Sequence, residues 1–174
     1  IVSPMLLTPP ETDLDMCFKF HYSSGSQHAG ILSVLIWYPM DNSQEKVWKI
    51  NLYGNNWKEA MMPLQPSSTN FLLVIQAEVW DAREGFIALD KLTLEQEICQ
   101  YMPPGAKPQN AENRNTNTLT FLQSEAIINC SFEDNEHPIC GFEQVDNGAT
   151  WLRINGSDTP TDLQPDIDHT MKNS

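Results

Sequence analysis

Three observations predict an all-β fold, an antiparallel β-sandwich with jelly-roll topology. Several short stretches alternate apolar and polar residues with a period of two, which sends successive side chains to opposite faces of a strand. Clusters of Gly, Pro, Asn, Asp and Ser separate those stretches at short intervals. Between residues 17 and 97 no stretch carries the 3.6-residue period of an amphipathic helix.

The elements follow in order. CFKFHY at 17–22 puts Phe18, Phe20 and Tyr22 on one face and Lys19 and His21 on the other. SSGSQHAG at 23–30 has the composition of a connection. ILSVLIWY at 31–38 is apolar on both faces, which predicts a central strand, read as a hairpin with 17–22. PMDNS at 39–43 breaks the run, and alternation resumes over 47–52 with Trp48, Ile50 and Leu52 inward against Lys49 and Asn51. Gly54, Asn55 and Asn56 form the next turn, after which 57–62 lead to Pro63 and a loop at 65–70. FLLVIQAEVW at 71–80 supports ten residues of strand, 81–85 turn, and 86–90 form one more short strand. Many short strands at this spacing are the pattern of a sandwich or jelly roll.

Composition changes after Cys99. Residues 100–118 are rich in Pro, Asn and Thr and nearly empty of core formers, the composition of a linker. Residues 119–128 regain apolar character as an extended lead-in, and the tail 158–169 is polar and broken by proline. The chain opens IVSP with no initiator Met, basic n-region or apolar h-region, and reads as a piece of a longer protein.

With 10 basic and 23 acidic residues the 174-residue chain carries a net charge of −13. That charge repels nucleic acid and acidic membrane surfaces. The longest apolar run, 31–38, is too short to cross a bilayer. Cys17, Cys99, Cys130 and Cys140 make an even number without any C-x-x-C spacing, which favours two disulfides over zinc or a redox pair. The sequons Asn129-Cys130-Ser131 and Asn155-Gly156-Ser157 agree with a secretory route and mark Asn155 and Asn129 as glycosylation candidates. Asn155 is the better of the two, because the middle residue at the other is a cysteine expected to be bridged.

Several pieces together resemble a known module. NCSFE at 129–133, CGFEQ at 140–144, Trp151 and DHT at 168–170 resemble the first part of a MAM domain, the module of meprins, neuropilins and receptor phosphatase mu. SPML at 3–6, CFKFHY at 17–22, GILSV at 30–34, NW at 56–57, FLLV at 71–74, GFIALD at 85–90 and Cys99 resemble the later part of the same module, in its order. The resemblance therefore implies residues 1–99 as the C-terminal part of one MAM domain, a linker at 100–127, and residues 128–174 as the N-terminal part of the next. The sandwich would be incomplete at its module ends, and the parent a protein with tandem MAM repeats. The family's pairing, first cysteine with second and third with fourth, implies Cys130 with Cys140 and Cys17 with Cys99. Loops of 10 and 82 residues would contribute roughly 3 to 4.5 kcal/mol each in the chain-entropy model. Because one part ends where the other begins, the two could dock as a permuted, incomplete sandwich.

Enzyme motifs are missing: there is no H-E-x-x-H, G-x-S-x-G or phosphate-binding glycine loop, and the four histidines are scattered singly. The predicted role is a non-catalytic extracellular adhesion or protein-recognition module of a multidomain cell-surface or secreted protein. Its partners would be other cell-surface or matrix proteins, copies of itself included, and any membrane anchor would lie elsewhere in the parent. The alternative is a carbohydrate-binding jelly roll using aromatic residues and calcium. Some MAM domains carry a structural metal, and the resemblance places Glu133, Asp146 and Asp168 in the corresponding acidic positions, with oxygen ligands suited to calcium. Lys91 after Asp90, where the family often has a second aspartate, weakens a carboxylate cage. Of Trp37, Trp48, Trp57, Trp80 and Trp151, most are expected in the core and one or two on an open face.

Overall fold

A computed structural model of the chain describes residues 1–7, 15–25, 30–68, 70–80, 86–108, 126–145 and 150–154. The strands are β1 (Leu6–Leu7), β2 (Met16–Ser24), β3 (Gly30–Tyr38), β4 (Ser43–Leu52), β5 (Lys58–Leu64), β6 (Asn70–Val79), β7 (Ile87–Glu95) and β8 (Ile128–Cys130). Among the described residues there is no α-helix, and one 3-10 turn covers Pro104–Ala106. Two antiparallel four-stranded sheets result, ordered β1-β6-β3-β4 and β5-β2-β7-β8. The neighbouring pairs β2–β7 and β3–β6 are nested, and the chain passes from one sheet to the other after β1, β2, β4, β5 and β6. That is jelly-roll winding.

The alternating residues of both sheets meet in one core. Phe18, Phe20 and Tyr22 of β2 and Leu92 and Leu94 of β7 face Leu32, Val34 and Ile36 of β3, Trp48 of β4 and Phe71, Leu73 and Ile75 of β6. Trp48 is fully buried, its ring edge-on to Phe20 at 5.4 Å and to Tyr22 at 5.7 Å between centroids. Burying side chains of this size stabilises by roughly 1.5–3 kcal/mol each. Lys19 points out from β2, where burial disfavours its ammonium but the carboxylates of Glu97 and Glu95 outweigh that and raise its pKa.

The expected hairpin of 17–22 with 31–38 does not form. β2 pairs with β5 and β7, whereas β3 pairs with β4 and β6. Each strand has an apolar face that needs an opposing sheet, so they sit in different layers. β3 is central in its sheet, as its two apolar faces predict. Its entry requires glycine: a Cβ on Gly30, at φ +148°, would fall 1.8 Å from the Glu78 carbonyl oxygen. The hairpin partner of β3 is β4, joined through residues 39–42, where Asp41 Oδ1 accepts hydrogen bonds from the Ser43 amide (3.0 Å) and hydroxyl (2.7 Å).

The strand expected at 86–90 continues to Glu95. Its register with β2 shifts between Lys19 and His21, and Lys91 adopts φ 52°. This bulge inserts one residue, so the inward side chains Leu89, Leu92 and Leu94 lose strict alternation. Pro63 lies within β5, which tolerates it as an edge strand. Disulfides join Cys17 to Cys99 and Cys130 to Cys140, each with Cα atoms 5.7 Å apart.

Candidate functional site

A two-layer sandwich has two open sides, and segments beyond Cys99 cover both. On the β4/β5 side, Met102 exchanges backbone hydrogen bonds with Met61 of β5 (3.1 and 2.9 Å), and its carbonyl accepts from Trp48 Nε1 of β4 at 3.0 Å. Ala106 is buried and Tyr101 packs against the core. Burial, with Glu45 nearby, raises the Tyr101 hydroxyl pKa. Residues 100–108, which by composition read as the start of a linker, are thus seated on the sandwich; 109–125 lie outside the described residues.

On the β1/β8 side, residues 126–145 form a clasp. One arm is β8, which pairs with β7 in the register Leu92↔Cys130, Thr93↔Asn129 and Leu94↔Ile128. The other arm reaches the opposite sheet: Glu143 and Val2 exchange hydrogen bonds of 2.8 Å each, and Val2 bridges Val74 of β6. The Cys130–Cys140 bond ties the arms together, and Ile128, Cys130 and Phe142 enter the core. Positive φ at Phe132, Cys140 and Gly141 marks the turns that fold the loop back, and the tight fit of residue 141 puts an added Cβ 3.2 Å from Pro4. Residues 150–154 brace the clasp. Gln144 donates to the Trp151 carbonyl (2.8 Å) and accepts from its amide (2.9 Å), while Arg153 donates to the Phe132 carbonyl (2.6 Å) and to Asn135 (3.0 Å).

Between the clasp and β1 runs an open groove of about 410 Å³, lined by Pro4, Met5, Leu6, Leu7, Ile127, Ile128, Asn129, Cys140 and Phe142. Leu7 is 67 % and Met5 49 % exposed. This is where two sheet edges and uncovered apolar side chains coincide, the combination that suits contact with another protein. Sequence reasoning gave Met5, Leu7, Met102 and Phe142 no role of their own, Met5 and Phe142 entering only inside the SPML and CGFEQ stretches. For Met5 and Leu7 the signal available was three apolar residues, 5–7, directly after a proline; Met102 offered none.

The residues singled out from sequence fall partly within the described residues and partly outside them. Asn129 is exposed in the middle of β8 and borders the groove; Asn155 lies outside the described residues. Glu133 sits on the exposed clasp loop, and Asp146 and Asp168 lie outside the described residues. Among the described residues no group of three or more His, Cys, Asp and Glu side chains comes together. In the same loop the Glu136 amide donates to Asp134 Oδ1 (2.8 Å), and this bond, with smaller contributions from His137 at 3.4 Å, lowers the Asp134 pKa. Trp48 is core, Trp37, Trp57 and Trp151 are half-buried, and Trp80 is 53 % exposed at the end of β6. No helix among the described residues is long and apolar enough to cross a membrane.

Fold and site define a disulfide-stapled β-sandwich with a closed core and an apolar seam. The family model for the MAM domain, meprin/A5/mu, matches residues 1–100, more than half of the chain. The chain belongs to the MAM domain family. It is similar to neuropilin-1 of Xenopus laevis, 26 % identical over 84 residues that make up 47 % of this chain and 9 % of that protein. It is also similar to the MAM domain-containing glycosylphosphatidylinositol anchor protein 1 of Gallus gallus, 29 % identical over 91 residues, 51 % of this chain and 10 % of that protein. The chain thus spans about a tenth of the length of these relatives.

Proposed function

We propose that this chain is a non-catalytic adhesion or protein-recognition module of a multidomain cell-surface or secreted protein, acting outside the cell on other surface or matrix proteins. Membership of the MAM family across residues 1–100 carries the reading. Two disulfides agree with the oxidising compartment it requires, and the open groove at the β1/β8 seam offers a contact surface. In the same reading residues 1–99 are the later part of one module and residues 128–174 the first part of the next, with 100–127 between them. In the same reading Asn155 and Asn129 carry glycans, and Glu133, Asp146 and Asp168 are the residues that would hold a structural calcium ion.

Beads coated with the chain test adhesion directly. They should clump with one another or bind beads carrying matrix proteins, and Leu7→Asp, at an exposed groove position, should reduce binding at least tenfold without altering the circular dichroism spectrum. Binding to a glycan array, abolished by a chelator, with no bead adhesion would instead establish the carbohydrate-binding alternative.

A further inference from the structure

We propose that the clasp, residues 126–145, is exchangeable between two copies of this chain: the clasp of each copy closes the β1/β8 side of the other, giving a two-fold dimer.

The covalent layout carries the inference. Cys17–Cys99 lies wholly within residues 1–108, and Cys130–Cys140 lies wholly within the clasp. Among the described residues no covalent bond joins clasp to sandwich, and main-chain continuity runs only through 109–125. The clasp is closed on itself by its own ten-residue disulfide loop. Its attachments are β-pairing with β7, the reciprocal Val2–Glu143 hydrogen bonds, and insertion of Ile128, Cys130 and Phe142 into the core. A clasp from a second copy would make every one of these contacts unchanged, which is the condition for domain swapping.

Reach permits both arrangements. Met102 lies outside β5 and β8 lies outside β7, at opposite edges of the sheet β5-β2-β7-β8. The connection must therefore span about four strand spacings, roughly 19 Å. From residue 108 to 126 there are eighteen Cα steps, about 60 Å when extended. With contacts equal, two terms choose between the forms. Being on the same chain gives a copy's own clasp an effective concentration on the order of millimolar, and a charge of −13 on each copy opposes their approach until salt screens it. The closed monomer is thus favoured in dilute solution at low salt, and exchange at high protein concentration and high salt. This goes beyond the adhesive reading and stands or falls separately, since it uses the seat under the clasp, whereas the bead assay probes the groove beside it.

Deleting residues 110–124 leaves three Cα steps, about 11 Å, too short for a clasp to close its own sandwich. The deletion variant should be a dimer by light scattering at concentrations where the intact chain is a monomer. Adding Val2→Cys with Glu143→Cys, a hydrogen-bonded pair at a spacing that suits a disulfide, should yield interchain bonds in the deletion variant. The same pair should give intrachain bonds in the dilute intact chain. A folded deletion variant that stays monomeric, with its clasp rapidly cleaved by protease, would overturn the proposal. Should the deletion prevent folding, the intact double-cysteine chain decides. Two differently tagged batches mixed at high concentration and high salt should form a mixed-tag crosslinked dimer, and its absence would equally reject exchange.

Discussion

The two sides of this sandwich are closed by different means. On the β4/β5 side the closing residues 101–106 begin two positions after Cys99, which is bonded to Cys17 at the start of β2. On the β1/β8 side the clasp is held by strand pairing and by three buried side chains, with its disulfide turned inward on itself. One closure is anchored within two residues of a sulfur bridge to the sandwich; the other is held to it by non-covalent contacts. The same element, a disulfide, thus fixes one seam to the body and merely preshapes the other.

Breaking the first closure should have the largest effect. Cys17→Ala with Cys99→Ala reopens an 82-residue loop, and is expected to cost about 4.5 kcal/mol in the chain-entropy model. The urea midpoint of the whole chain should fall, with residues 101–106 losing amide protection together with β2. Phe142→Ala comes next: removing a side chain only 2 % exposed should cost about 3 kcal/mol, but locally. Hydrogen exchange of 128–143 should accelerate while the midpoint reported by the Trp48 environment stays put; loss of both together would make the clasp part of the cooperative core. Cys130→Ala with Cys140→Ala, a ten-residue loop, should weaken the clasp by about 2.7 kcal/mol, seen as faster proteolysis between 128 and 145 alone.

Electrostatic changes should be smaller. Lys19→Met removes a half-exposed pair of contacts with Glu95 and Glu97 and should shift stability by under about 1 kcal/mol. Because the folded pKa of Lys19 is raised, its contribution is complete below the unfolded value near 10.4 and fades as pH rises through the folded one. Asp134 behaves oppositely. Its lowered pKa means that its contribution is present above the unfolded value near 3.9 and is lost as pH falls through the folded value, so the Glu136 amide should gain exchange rate only in strong acid.

Much of the strand content was legible because a half-buried strand writes its face into the sequence. Phe18, Phe20 and Tyr22 against Lys19 and His21, or Trp48 and Leu52 against Lys49 and Asn51, show their orientation without a structure. Partner choice was not legible, and the expected hairpin of β2 with β3 failed for that reason: period two says which side chains turn inward, not which strand lies alongside. Nor was the full length of β7, since the bulge at Lys91 changes the phase between Leu89 and Leu92. In the seam, the cysteine pairs could be anticipated from the resemblance, whereas Met5, Leu7 and Phe142 acquire meaning only from what packs beside them.

By itself the sequence determined a β-rich, acidic, disulfide-bridged chain, because alternation, charge and cysteine spacing are local properties that survive without partners. Tertiary structure decided which edges meet, that residues 100–108 seal one side, and that the clasp spans both sheets at the other. Those outcomes depend on contacts between residues as far apart as Val2 and Glu143, whose pairing is set by the geometry of two closed layers and by no pattern within either stretch.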